Sequence, residues 1–217
     1  MWDKLKEQFN LLKLEKKKLC LITNSEKFIS KDEFLDAIAS ALQGGVDIVQ
    51  LNEKNIPDGV IVEIGHKLRF LCDEYGATFI INGRLDIAQI VDADGVHLEH
   101  EGISIANARE ILGKNAIIGQ STNTTKEVIR AFNSGADYIT FGPIYTTPDK
   151  IELSVDVKDV RWINKNIDIP VFSTGEINLD NIHEIVNAGI KKLAITDAIM
   201  YAQVPEKTAR KFLKYLL

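Results

Sequence analysis

Cysteine is scarce in this chain of 217 residues: there are two, Cys20 in an apolar run and Cys72 in a segment of helical periodicity. Two widely spaced cysteines argue against a disulfide framework or a zinc site and fit buried thiols in a reducing cytosol. A basic excess is lacking too. The 26 Lys and Arg stand against 31 Asp and Glu, a net charge of −5, so nothing drives binding to the phosphate backbone of nucleic acid. No apolar stretch approaches the roughly 18 residues of a membrane span. The opening segment MWDKLKEQFNLLKLEKKK lacks the uninterrupted apolar core of a secretory signal. After the first apolar run the chain reads NSEKFIS, without the glycines of a dinucleotide fingerprint. What remains is a soluble globular chain, 45% hydrophobic, long enough for one well-packed domain.

Eight short runs rich in Val, Ile and Leu recur along it, each followed by a segment with helical periodicity. They are LCLIT, VDIVQL, ATFII, DGVHL, AIIGQ, DYITF, IPVFS and KLAIT. Strands apolar on both faces and alternating with helices predict a parallel sheet covered by its crossover helices. An imperfect repeat supports this: Gly45-Val46-Asp47, Gly135-Ala136-Asp137 and Gly189-Ile190-Lys191 each put a glycine between a helix and a strand. Glycine there ends the helix in the left-handed conformation. Eight such units predict an α/β fold, a single (β/α)8 TIM barrel over residues 19–217, with a doubly wound sheet as the alternative. Trp2, Leu5, Phe9 and Leu12 fall at helical spacing, so residues 1–18 are expected to form an extra amphipathic helix covering the bottom of the barrel rather than lying on a membrane.

In a barrel the chemistry belongs to the C-terminal ends of the strands. After the second run, alternation puts Gln50, Asn52 and Lys54 on one side, amides for a heterocycle and an ammonium for an anionic oxygen. After the third, Asn82 is expected to cap the next helix, with Arg84 and Asp86 facing solvent. The segment His97-Leu98-Glu99-His100-Glu101-Gly102 gathers imidazoles and carboxylates, but half of it lies in a turn, and a solvated loop is the expectation over a transition-metal site. Thr124 and Glu127 have the spacing of a capping box, leaving Ser121 and Asn123 to touch a ligand. The loop Gly142-Pro143-Ile144-Tyr145-Thr146-Thr147-Pro148-Asp149-Lys150 is shaped by two prolines, and Thr146, Thr147 and Lys150 can bind phosphate oxygens. Gly175 and Thr196 follow the last two runs, where barrels commonly cup a phosphate; Glu176 and Asp197 set negative charge beside them.

Taken in order, Gln50-x-x-x-Lys54, Asn82, Asp94-Gly95-Val96-His97-Leu98, Gly142-Pro143-Ile144-Tyr145 and Lys150 resemble the thiamine phosphate synthase family, which includes the thiazole tautomerases. The resemblance runs from about Leu19 to Ala209 and is most specific in GADYITFGPIYTT. It implies a barrel, often a homodimer, that acts in thiamine biosynthesis on small phosphorylated substrates. In the synthases an aminopyrimidine-methyl pyrophosphate loses pyrophosphate, and the methylene is captured by the nitrogen of a thiazole phosphate. Mg2+ and cationic side chains stabilise the leaving group. Carried over, Gln50 and Ser121 meet the pyrimidine, and Lys54, Asn82 and Lys150 the pyrophosphate. Thr147 lies against the second substrate and Gly175 at its phosphate.

The departures are specific. The family arginine of strand two is Asn52, and its two magnesium aspartates are Gly83 and Gly102. Its Gly-Gly pair is Gly175-Glu176, the small residue of its last cup is Asp197, and the tautomerase histidine is Asn123. Asp86, Glu99 and Glu101 are the nearby carboxylates that would have to replace the magnesium ligands. Beside the synthase reading stand two others: a non-catalytic barrel that binds a thiamine precursor or a partner protein, and an enzyme with a less phosphorylated substrate.

Overall fold

The computed structural model describes residues 13–145 and 157–217. Eight parallel strands close on themselves in the order of the sequence. They are β1 (Leu19–Ile22), β2 (Ile48–Leu51), β3 (Thr78–Asn82), β4 (Gly95–Leu98), β5 (Ile117–Thr122), β6 (Tyr138–Phe141), β7 (Val171–Ser173) and β8 (Leu193–Ile195). The ring closes where β1 pairs with both β2 and β8. Each of the eight apolar runs of the sequence is a strand, so the barrel is the fold and the doubly wound sheet is not.

The helices pack outside: α1 (Lys31–Gln43), α2 (Asp58–Tyr75), α3 (Leu85–Ile90), α4 (Ile105–Leu112), α5 (Thr125–Asn133), α6 (Val157–Asn166), α7 (Ile182–Asn187), α8 (Asp197–Met200) and α9 (Pro205–Tyr215). Their local signals are orthodox. Ser30 and Ser104 cap α1 and α4 through their hydroxyls, and Thr124 with Glu127 forms the full capping box of α5. Gly45, Gly135 and Gly189 carry φ of +99°, +85° and +90°, the left-handed turn that a residue with Cβ resists. The aspartate of the Gly-x-Asp repeat has its own task. Asp47 Oδ2 accepts from the amides of Lys18 and Leu19, and Asp137 Oδ2 from that of Ile118, so each aspartate ties down the start of the preceding strand. Asp94 does the same for Phe79.

Two apolar layers result. One lies between strands and helices, and the other fills the barrel with Cys20, Ile48, Ile80, Ile117, Tyr138, Phe172 and Ala194. Leu14, within the one helical turn that precedes β1, is fully buried among these inner residues and stops the bottom of the barrel. The rest of the segment expected to form the N-terminal helix, residues 1–12, lies outside the described residues. Gly119 is required at its inner position: a Cβ there would stand 2.2 Å from the Tyr138 ring and 2.6 Å from His97 Nδ1. Its missing side chain is the space in which the tyrosine crosses the barrel.

Candidate functional site

Above the apolar filling, the C-terminal ends of the strands carry a polar layer. Alternation builds it: Ile48 faces the axis, and so does Gln50; Ile80 is followed inward by Asn82, Ile117 by Gly119 and Ser121, and Tyr138 by Thr140. His97 joins from β4 and is 2% exposed. Its Nδ1 lies 3.1 Å from the Tyr138 hydroxyl, and its Nε2 lies 2.8 Å from Ser121 Oγ and 3.2 Å from Thr140 Oγ1. Burial pushes the imidazole down to about 4, so the ring is neutral at pH 7. A neutral ring donates from one nitrogen and accepts at the other, and here it orients the hydroxyl of Ser121.

A second chain of contacts runs across the ends of β2, β3 and β4. Gln50 Nε2 donates to Asn82 Oδ1 at 3.1 Å, and Asn82 Nδ2 donates to Glu99 Oε1 at 3.0 Å. Lys54 Nζ reaches that same Glu99 oxygen at 2.5 Å. Lys54, then Asn82, hold the Glu99 carboxyl below the usual carboxylate range. Gln50 is 3% exposed and its Oε1 has no hydrogen-bond partner in the chain; the same is true of the buried Asn52 Oδ1. Two buried acceptors at the mouth of the barrel ask for N–H or O–H donors from a ligand.

The expected cap is not made. Asn82 spends its side chain on Gln50 and Glu99, while α3, with Arg84 at its N-cap position, has no side-chain cap. Arg84 grips Asp58 and Asp86, and that grip lowers the Asp86 carboxyl to about 2. Glu53, next to the candidates on β2, is structural: it accepts from the Thr23 hydroxyl and from Ser25, holding the loop after β1.

These partnerships test the magnesium expectation. Gly83 and Gly102 offer no carboxylate, Asp86 is committed to Arg84, Glu99 to Lys54 and Asn82, and Glu101 is exposed in the turn after β4. Among the described residues no group of three or more His, Cys, Asp or Glu is arranged to hold a metal ion. With glycine at both positions that the resemblance assigns to magnesium aspartates, the residues of this rim do not fit the family's magnesium site.

On the far side, a cleft lined by Lys27, Thr174, Gly175, Thr196, Asp197 and Tyr201 brings Gly175 and Thr196 together, as expected of the ends of β7 and β8. Gly175 has φ of +131°, and a Cβ there would meet Ile144 N and Tyr145 O at 2.8 Å, so only glycine lets the loop after β6 lie against β7. The Glu176 amide already donates to Tyr145 O. Lys27 is drawn to Asp197 at 3.3 Å and sits 4.3 Å above the Tyr201 ring. Asn123, in the amide orientation that satisfies its neighbours, donates to the carbonyls of Thr122 and Gly142 at 3.2 and 2.7 Å and props the same loop. Thr146, Thr147 and Lys150 lie outside the described residues. The Glu99–Lys54 pair and the His97 network join residues distant in the chain; the alternation His97-x-Glu99, which puts both side chains on one side of an extended segment, is their signal in the sequence.

The family model described as thiamine monophosphate synthase matches residues 19–199. A thiamine-phosphate synthase of Thermosynechococcus vestitus is 38% identical over 210 residues, which are 96% of this chain and 58% of that protein. The chain thus spans little more than half the length of the first curated relatives it matches. A putative thiamine-phosphate synthase of Geobacter sulfurreducens is 40% identical over 200 residues, 91% of this chain and 93% of that protein. The solved thiamine phosphate pyrophosphorylase of Pyrococcus furiosus superposes with a TM-score of 0.84 at 34% identity, covering 96% of this chain and 97% of that one. With its closed barrel and the polar layer at its mouth, the chain belongs to the thiamine monophosphate synthase family.

Proposed function

We propose that this barrel carries out the joining reaction of its family. An aminopyrimidine-methyl pyrophosphate loses pyrophosphate as its methylene C–O bond breaks, and a C–N bond forms to the nitrogen of a thiazole phosphate. The observation that carries the reading is the Gln50 carbonyl oxygen, buried at the barrel mouth without a partner while its amide nitrogen is spent on Asn82. An aminopyrimidine brings the amino donor that such an oxygen lacks. In this reading Ser121, oriented by neutral His97, meets a second ring atom, and Lys54 with Asn82 and Lys150 face the departing pyrophosphate. Gly175, Thr196 and Thr147 receive the thiazole phosphate. The work of the chain is positional and electrostatic: the two substrates are held in line, and cationic side chains balance the charge on the leaving oxygen.

Thiamine phosphate formation from the two purified substrates, with and without Mg2+, tests the reading, with Gln50→Leu and Lys150→Ala as controls. Turnover that both variants lose by tenfold or more supports it; no turnover above the variants sinks it. The second reading, a barrel that binds a thiamine precursor without turning it over, is favoured by Gly83, Gly102 and the engagement of Lys54 by Glu99. Calorimetric binding of the aminopyrimidine without turnover would establish that alternative. The same proposal includes a homodimer in a reducing cytosol, with Cys20 and Cys72 as buried thiols and residues 1–18 as a cover for the barrel bottom. Among the described residues no helix is long and apolar enough to cross a membrane.

A further inference from the structure

We infer that Glu99 is a built-in competitor at the anion subsite of the barrel mouth, and that its carboxylate loosens the hold of Lys54 and Asn82 on pyrophosphate. Lys54 Nζ and Asn82 Nδ2 come from the ends of different strands and converge on one oxygen, Glu99 Oε1, at 2.5 and 3.0 Å. Two donors meeting at a single anionic oxygen is the arrangement they would offer a phosphate oxygen. The subsite is therefore formed, and filled by the chain itself.

Several features make this carboxylate a strong competitor. It stands two residues beyond buried His97, just past the end of β4, so it is delivered without the loss of translational freedom that a free anion suffers. The pairing with Lys54 and Asn82 keeps it ionised at neutral pH. An incoming anion must displace it from both donors and then tolerate its charge a few ångströms away. Arg84, two residues beyond Asn82, is itself paired with Asp58 and Asp86. Stability does not explain the pair. Lys54 and Glu99 side chains are 62% and 50% exposed, and ion pairs so placed contribute little to the fold. Its effect falls on how tightly the subsite holds an anion.

The inference rests on the proposed function only in taking Lys54 and Asn82 as the donors that pyrophosphate would use. Its test is titration calorimetry with inorganic pyrophosphate, without metal and with Mg2+, on the unmodified chain, Glu99→Gln and Glu99→Gln/Lys54→Ala. Glutamine keeps the shape and removes the charge. We expect Glu99→Gln to bind pyrophosphate at least tenfold more tightly than the unmodified chain, and the added Lys54→Ala change to abolish that gain. Equal affinity of the unmodified chain and Glu99→Gln overturns the inference, as does a gain that survives the loss of Lys54. Thermal unfolding of the three proteins at matched midpoints confirms that the comparison is between folded sites. The joining assay run on the same proteins separates the two claims. If Glu99→Gln gains pyrophosphate affinity but none of the proteins forms thiamine phosphate, the catalytic reading fails and the role of Glu99 stands.

Discussion

Lowering the pH from 7 to 5 perturbs one buried group of this protein selectively, and the cost can be worked from the structure. His97 is enclosed by Tyr138, Ser121 and Thr140, and burial lowers its pKa to about 4 from the ordinary value of 6.5. Glu99 pulls weakly the other way, and the Tyr138 hydroxyl stays neutral because burial raises it. Between the two histidine values the unfolded chain binds a proton that the folded chain refuses. Stability therefore rises with pH through this window: the contribution of the neutral ring is complete above about 6.5 and is lost progressively toward 4. Over the step from pH 7 to pH 5 this single site should remove about 2 kcal/mol. His97→Gln retains a hydrogen-bonding side chain and cannot titrate. Urea unfolding of both proteins at the two pH values gives the double difference, in which the surface carboxylates cancel. A difference near 2 kcal/mol in favour of the variant's acid tolerance is expected. Equal losses in the two proteins would refute the claim that His97 is neutral and sealed from water, and with it the account of how Ser121 is oriented.

Two further outcomes follow from the packing. Gly119→Ala puts a Cβ where the Tyr138 ring and His97 already lie, so the tyrosine must leave its place; thermal denaturation should show a loss of about 1–3 kcal/mol, and an unchanged midpoint would mean the inner layer is looser than described. Leu14→Ala opens the stopper at the barrel bottom and should cost about 2–5 kcal/mol by urea denaturation, whereas a loss under about 0.5 kcal/mol would show that this turn is not part of the core.

Much of this architecture was legible in the sequence because its determinants are local. A strand covered on both faces must read as an unbroken apolar run, and all eight runs are strands. The turn glycines at 45, 135 and 189 and the Thr124–Glu127 box act within a few residues of themselves. Asn82 marks where that locality ends. Its residue type and position fit a helix cap, yet closure of the barrel sets it between Gln50 and Glu99, which lie 32 and 17 positions away in the chain. Arg84 faces solvent as its position predicts, yet its grip on Asp58 again joins residues 26 positions apart.

By itself, then, the order of apolar runs and turn glycines determined that this chain is a (β/α)8 barrel, and alternation after the second run put Gln50, Asn52 and Lys54 on one side of the chain. Only the tertiary structure decided their partners. Whether Lys54 faces a ligand or Glu99, whether His97 is charged or neutral, and which acceptor oxygens are left unmatched depend on distances between strands, and those exist only once the sheet has closed.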